Sequence, residues 1–467
     1  MTEKKYYDVI VIGAGPGGYV AAIKASQTGK KVALIEKGDV GGTCLNVGCI
    51  PTKTLIANAT ALQTIQHASD FGINIGSISI DFAKMKERKD GVISKMRKSL
   101  EGLIQSNQIE ILRGHATFVA PFELKVKGEN NLIVHGEKII IASGSEPVDV
   151  AAFPCDHEKI FNSTSILGVT TLPKTLAVIG GGYIGCEFAS LYAELGVKVI
   201  VLEALSAIVV TQGKAISDTL TAAFKKKGID VQTGVMVEGI DRQGNGVSIR
   251  LKDKAPVIAD AVLVAIGRKV VSKDLGLEAA GVLTNERGSI LVNEKMETNV
   301  PGIYAIGDVT GLVMLAHVAS HQGIVAAVNA TGGVAEMHYD AVPAVIFTHP
   351  EIASVGLTLE QAQEKGYSAA IGKFPFMALG KAVASMETEG FAQVIIDQKS
   401  GQILGAQVVG HDAASLIAEM ALAMANELTV DCLVDTIHAH PTLPEAWLEA
   451  GLMAQNTPIH FPPRVKR

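Results

Sequence analysis

The chain has 467 residues, enough for two to four domains, and 48% of them are hydrophobic against 19% charged, the balance of an ordered globular protein. A net charge of −6 offers no basic footprint for nucleic acid, 5% aromatic content offers no stacking platform, and no apolar run reaches membrane-spanning length. The N-terminus runs straight into a strand pattern without signal-peptide architecture and the five cysteines are an odd number, so a reducing cytoplasm is expected.

In chain order, the first predicted element is the buried strand Asp8–Ile12, followed by the loop Gly13-Ala14-Gly15-Pro16-Gly17-Gly18 and an Ala-rich helical stretch. A second strand, Lys31–Ile35, ends in Glu36. The same grammar recurs as strand Leu176–Ile179, loop Gly180-Gly181-Gly182-Tyr183-Ile184-Gly185, and strand Lys198–Leu202 ending in Glu203, with the same spacing from first glycine to acid. One such loop is weak evidence, whereas two in the same context specify a pair of dinucleotide sites. Gly13, Gly15 and Gly18, like Gly180, Gly182 and Gly185, permit a tight turn and close approach of backbone N–H groups to a pyrophosphate at a helix N-terminus. Glu36 and Glu203 would accept hydrogen bonds from an adenosine ribose. A 2′-phosphate would be repelled there, and no Arg or Lys follows Glu203 before Lys214, so the second site is expected to prefer NAD over NADP.

Between the repeats lies Cys44-Leu45-Asn46-Val47-Gly48-Cys49, flanked by Gly41-Gly42-Thr43 and Ile50-Pro51-Thr52-Lys53. Two thiols this close beside a nucleotide unit suggest a redox-active disulfide; the plainer alternative is that they merely pack. Five residues of regular helix rise ~7.5 Å, and Cα atoms more than ~7 Å apart cannot be bridged without backbone movement. The pair therefore needs a distorted turn, which Gly48 permits, and Pro51 suits the first turn of a following helix. A thiolate near that helix N-terminus would have a lowered pKa. Cys155, Cys186 and Cys432 are scattered among apolar neighbours and are expected to be small buried hydrophobes.

Ile139-Ile140-Ile141-Ala142-Ser143-Gly144-Ser145 and Val262–Arg268 are further buried strands ending in small residues. Tyr304-Ala305-Ile306-Gly307-Asp308 ends in a carboxylate suited to the ribityl hydroxyls of a flavin. Flavin is the natural intermediary between a dithiol and a nicotinamide, since it accepts two electrons and passes them on as hydride. Near the C-terminus, His438-Ala439-His440-Pro441-Thr442-Leu443-Pro444-Glu445 offers His440 as proton acceptor and Glu445 as the carboxylate that fixes its tautomer. His438 is expected to be structural. No cysteine or nearby carboxylate completes a ligand set around the two histidines, so no metal is expected.

With those residues in place, the chain resembles the pyridine nucleotide–disulfide oxidoreductases, and most closely their branch acting on dihydrolipoamide. The likeness spans essentially the whole chain. It is most specific at Gly41–Lys53, Gly180–Glu187, Tyr304–Asp308, Met314–His317, Phe347–Glu351 and His440–Glu445. It implies an α/β fold: two doubly wound dinucleotide-binding domains, for FAD and NAD, with an α+β dimerisation domain. The expected boundaries are 1–146 and 271–342 for the FAD-binding and central domains, 147–270 for the NAD-binding domain, and 343–467 for the interface domain.

By the same resemblance Cys49 touches the flavin and forms the charge-transfer species, while Cys44 is the interchange thiol. Lys53 and Glu187 form an ion pair near flavin N5, and Asp308 holds the ribityl chain. Lys37, Gly42, Thr43, Ala116, Ser143, Gly144, Gly267, Met314, Leu315, Ala316 and His317 complete the expected cofactor contacts. The family is a homodimer in which His440 and Glu445 serve the other subunit's disulfide. The implied partners are lipoyl-bearing subunits of 2-oxoacid dehydrogenase or glycine-cleavage assemblies.

Three stretches depart from the family pattern. Lys269–Ser272 stands where a Pro-Asn pair is usual, Met314–Gly323 lacks the usual acidic residues, and Ser354 replaces a common aromatic. A glutathione-type reductase would want basic residues after Glu203, and a mercuric reductase a vicinal cysteine pair in the tail 459–467; neither is present. A flavin-binding scaffold without chemistry would not need Cys44, Cys49, Lys53, His440 and Glu445 together.

Overall fold

The computed structural model describes residues 4–128 and 131–462. The chain divides into two compact units, one of residues 1–149, 162–172 and 267–338, the other of residues 150–161, 173–266 and 339–467.

The first unit is built on a seven-stranded sheet. Strands β1 (Lys4–Ile12) and β2 (Val32–Glu36) run parallel, with Ile12 opposite Ile35. On the other side of β1 the strand Leu132–Ile141 is also parallel, and the short strand Ile303–Ala305 continues the parallel set beside it. The segments Val9–Ile12, Val32–Ile35 and Ile139–Ile141 are apolar and buried because both faces are covered there, the pattern of parallel sheets. Ile10, Ile12, Ala33, Ile35, Ile139, Ile141, Ile303 and Ala305 share one core. Register places the C-terminal ends of β1, Leu132–Ile141 and Ile303–Ala305 side by side at Ile12, Ile141 and Ala305. Helix α1 (Pro16–Ser26) crosses from β1 to β2. The thiol-bearing stretch forms two helices, α2 (Gly42–Val47) and α3 (Cys49–Gln66).

The second unit repeats the arrangement on a smaller scale. In its five-stranded sheet, Thr175–Ile179 lies parallel to Lys198–Leu202 on one side and Ala261–Val264 on the other. The helix Tyr183–Glu194 joins the first two strands. The same unit holds a five-stranded antiparallel sheet of Ala344–Ile346, Glu351–Gly356, Ile403–Gly410, Phe391–Asp397 and Ala369–Pro375, in that order. Helices Ala413–Ala425 and Glu445–Ala454 cover it. Trp447 is fully buried between them and spends its ring N–H on Leu416 O at 3.1 Å. The expected α/β architecture with an α+β C-terminal region is what forms. No helix among the described residues is long and apolar enough to cross a membrane.

Candidate active site

The two glycine loops have one backbone design. Gly13 (φ +98°) and Gly180 (φ +106°) take a conformation that L side chains rarely adopt, and a Cβ on either would strike the carbonyl of Ala142 or Ala265. Gly18 and Gly185 pack so tightly that a Cβ would overlap Gly13 O or Gly180 O. Gly15 and Gly182 are different: each is the N-cap of its helix, without a side-chain cap, and a Cβ on Gly182 would meet nothing within 4 Å. The middle glycine therefore leaves helix N–H groups approachable from open space, which fits a pyrophosphate.

The acids are matched as well. Glu36 accepts Ala14 N–H at 2.7 Å on one oxygen and Gly38 N–H at 2.8 Å on the other. Glu203 accepts Gly181 N–H and, at 2.7 Å, Leu205 N–H. Each carboxylate thus clamps its own glycine loop, and its remaining lone pairs stay available to ribose hydroxyls. Lys37 follows the first clamp.

The dithiol lies against the first loop. Gly41 N–H reaches Ala14 O at 2.7 Å, and Gly42 (φ +58°) lies so close to Gly15 that a Cβ would meet its Cα at 2.6 Å. Thr43 and Cys44 follow in α2, and Cys49 opens α3. Gly48 between them is neither helical nor extended (φ −141°, ψ −108°), the distorted turn the spacing requires. Asn46 pins the segment with its amide to Val40 O and Gly42 O at 3.0 and 2.9 Å, and Arg97 Nε donates to its oxygen at 3.0 Å.

The side chains of Cys44 and Cys49 are hydrogen-bonded to each other. That bond, with burial and the nearby Cys49 charge adding, drives the Cys44 thiol far up, against a smaller opposing pull from Lys53. The expectation of a lowered pKa concerns the thiol at the N-terminus of α3, the place of Cys49; Cys44, in the preceding helix, is held protonated. The scattered cysteines need correction. Cys186 is buried, but Cys155 is half-buried and Cys432 is exposed on the outer side of the short helix Val430–Asp435, beside Thr429.

At the ends of the parallel strands, Asp308 sits in a single turn, Gly307–Thr310. Ser145 donates to its carboxylate, and Arg268 donates from Nε to Ser145 Oγ and from a terminal nitrogen to Ser145 O, both at 2.8 Å. The fully buried Gln322 accepts Gly307 N–H at 2.6 Å. Its neutral side chain does the positioning in the stretch that lacks the family's usual acids. Ser143 Oγ bonds Val271 O at 2.5 Å, Gly144 is left-handed (φ +76°), and Gly267 N and O lie at the start of the strand Arg268–Val270. Met314 and Leu315 lead into the helix Ala316–Ala330, where Ala316 and His317 form the first turn. Ala116 points into the core, so only its backbone is available to a ligand.

In the second unit Glu187 is buried and accepts Phe347 N–H at 3.0 Å, while Ser190 Oγ accepts His349 N–H at 3.0 Å. Lys53 belongs to the first unit, on α3. His440 Nδ1 meets Glu445 Oε1 at 2.8 Å, and the other oxygen accepts Thr442 N–H at 2.8 Å. Burial alone would push Glu445 up, but Thr442 N–H and His440, with the charge of His460 adding, hold it below the usual carboxylate range. His440 is 77% exposed, so its Nε2 is presented outward. His438 is structural as expected, with one ring nitrogen at Thr436 O (2.9 Å) and the other at Glu419 (2.8 Å). Ser354 Oγ donates to Gln212 Oε1 at 2.7 Å, which gives this departure from the family pattern a polar partner. Sequence reasoning missed Ser145, Arg268, Asn46 and Thr442.

A family model described as pyridine nucleotide-disulphide oxidoreductase matches residues 7–323, and the model of that family's dimerisation domain matches residues 342–451. The chain belongs to the pyridine nucleotide-disulphide oxidoreductases. It is 50% identical over 464 residues to the dihydrolipoyl dehydrogenase of Chlamydia pneumoniae, covering 99% of this chain and 100% of that one. It is 41% identical over 459 residues to the dihydrolipoyl dehydrogenase of Bacillus subtilis, covering 97% of each. The crystal structure of LpdA from Mycobacterium tuberculosis is similar with a TM-score of 0.90 at 26% identity, over 96% of this chain and 99% of that one. The HOCl-induced flavoprotein disulfide reductase RclA from Escherichia coli is similar with a TM-score of 0.86 at 32% identity, over 95% and 99%.

Proposed function

We propose that the chain oxidises protein-bound dihydrolipoamide to lipoamide and delivers the electrons to NAD+. The observation that carries this reading is the Cys44–Cys49 dithiol, hydrogen-bonded across Gly48 and packed against the first glycine loop. The exchange begins from the oxidised pair. His440 Nε2 takes a proton from one substrate thiol, and that sulfur attacks Cys44. A substrate–Cys44 disulfide forms, the Cys44–Cys49 bond breaks, and Cys49 leaves as thiolate. The second substrate sulfur then attacks the first, closing the lipoamide ring and releasing Cys44, which takes up the proton of that second thiol and is left as a thiol hydrogen-bonded to the Cys49 thiolate, while the first proton stays on His440. Glu445 holds Nδ1–H of His440 so that Nε2 is the acceptor. FAD, when bound, supplies the two-electron path from the dithiol to NAD+.

On this reading Gly13, Gly15, Gly18, Glu36, Gly42, Thr43 and Asp308 hold FAD. Gly180, Gly182, Gly185 and Glu203 hold NAD, and Lys53 with Glu187 form the ion pair expected near the reacting ring. The boundaries 1–146, 147–270, 271–342 and 343–467 are the corresponding functional domains. The dimerisation-domain match supports a homodimer in which His440 and Glu445 serve the partner's dithiol. A lipoyl-bearing subunit of a larger assembly, in the cytoplasm, is the matching substrate carrier.

The test is anaerobic mixing of the purified yellow protein with dihydrolipoamide, then NAD+ or NADP+, followed by the absorbance of reduced nicotinamide. NADH formation with little NADPH is expected. Reduction of the protein by NADPH alone, with no response to dihydrolipoamide, would overturn the reading in favour of a glutathione-type reductase.

A further inference from the structure

The dithiol is divided between two helices, and both are tied to the same third one. Cys44 is in α2, Cys49 opens α3, and Gly48 breaks the helical backbone between them. The third helix is α4 (Phe82–Ser106), which runs for 25 residues after an Asp81 cap. From α4, Arg97 donates its Nε to Asn46 Oδ1 at 3.0 Å, inside α2, and pairs a terminal nitrogen with Asp39 at 2.8 Å. From the same helix, Arg88 donates a terminal nitrogen to Thr54 O at 3.2 Å and to Asn58 Oδ1 at 3.1 Å, both in α3. The reaction described above uses neither arginine.

A glycine between two helices is a hinge unless something spans it. Arg88 and Arg97 stand ~13.5 Å apart along α4, a length that a continuous helix hardly changes. Asn46 extends the grip of Arg97, because its amide donates to Val40 O and Gly42 O and so fastens α2 to the loop that leads into it. The helix is anchored in turn: the buried Lys89 gives its ammonium to Leu167 O at 2.9 Å. As a source of stability these contacts explain little, since the Arg97–Asp39 pair is half-exposed and such pairs contribute weakly. What they fix is the relation between the two thiol-bearing helices.

We propose that α4 is a splint for the redox pair: Arg97 and Arg88 hold α2 and α3 together across Gly48, keeping the Cys44 and Cys49 sulfurs within reach of each other so that their disulfide closes readily. The inference rests on the reading of that pair as the group that exchanges with dihydrolipoamide. When the protein's disulfide closes, a bond forms between the two sulfurs. The two electrons and two protons of its thiols pass to lipoamide, whose S–S bond opens to two thiols. The nearer the sulfurs are held, the higher the effective concentration of each for the other, and the further the exchange lies toward the protein's disulfide. Both arginines act through α2 and α3 and are positioning residues.

The experiment equilibrates full-length FAD-loaded protein with mixtures of dihydrolipoamide and lipoamide, without oxygen or nicotinamide. It then quenches in acid and counts the thiols at Cys44 and Cys49 by alkylation and mass spectrometry. The readout is the lipoamide-to-dihydrolipoamide ratio at which half of the pair is reduced, in the wild type, Arg97→Ala, Arg88→Ala and Glu101→Gln. The ratio is expected to rise about tenfold in each arginine variant, ~30 mV for a two-electron couple. Glu101→Gln removes the tie from α4 to Arg113, a contact that involves neither α2 nor α3, and its ratio is expected to stay within about twofold of the wild type. Where an alanine variant does not retain FAD, the glutamine variant at that position replaces it, with the same expectation. A ratio unchanged or lowered in either arginine variant overturns the proposal. So does a rise in Glu101→Gln as large as theirs, which would mark general loosening of the unit. A wild-type pair that no mixture reduces would overturn the exchange reaction itself, and the proposal with it.

Discussion

At the scale of single residues, the proton is where the chemistry is decided. Cys44 is kept protonated by its bond to Cys49, while Glu445 is held as a carboxylate by Thr442 N–H and His440 despite its burial. The folded-state pKa of Glu445 is lowered, so its contribution to stability is present above the ordinary carboxylate range and is lost as pH falls through the lower folded value. Glu445→Gln should therefore be less stable than the wild type near neutrality, and the gap should narrow in acid. Urea unfolding at both pH values checks this; a gap that widens in acid would contradict it. The same substitution should slow dihydrolipoamide oxidation, because a neutral amide does not select the Nδ1–H tautomer.

At the scale of elements, the glycine loops show how closely backbone and function are joined. Gly185→Ala puts a methyl into Gly180 O and should destabilise the second unit, whereas Gly182→Ala meets no protein atom and should fold normally. The alanine at 182 would occupy the approach to the helix N-terminus and should weaken NAD+ binding. Thermal unfolding and NAD+ titration of both variants separate the two effects; equal stabilities would show that the loops tolerate more than their geometry implies. These loops, the Cys44–Cys49 pair and the His440–Glu445 couple were legible in the sequence because each is a short local pattern with fixed spacing. The Ser145–Asp308 and Arg268–Ser145 bonds were not, since they join residues 163 and 123 positions apart and leave no periodic trace. Cys432 was misjudged for a related reason. Apolar neighbours in sequence set the character of a helix, but only packing decides which face is covered, and Cys432 is on the exposed one. The clamping of Glu36 and Glu203 on their own loops was likewise hidden: the sequence shows the acid, not what it already holds.

At the scale of the whole molecule, the dithiol belongs to the first unit and the His440–Glu445 couple to the second. If a homodimer completes each site with its partner's base, Cys44→Ser and His440→Gln should each inactivate the pure protein. Co-expressed, the two variants should form mixed dimers with one intact site and recover a sizeable part of the activity. Absence of recovery in isolated mixed dimers would mean that each subunit works alone. The paired loops have a consequence for how long a ligand stays. Their turns, clamps and spacing are matched, so the loops alone cannot separate a nucleotide that resides from one that departs after every turnover. The second cradle is drawn from one contiguous stretch, 175–205, and a guest held there can diffuse away without the chain letting go of itself. The first cradle continues into α2 and α3 and, at the ends of its strands, into the bonded trio of Ser145, Arg268 and Asp308 from three distant segments. A guest enclosed by those segments would leave only as fast as the unit itself opens, which makes its escape a folding event and not a dissociation.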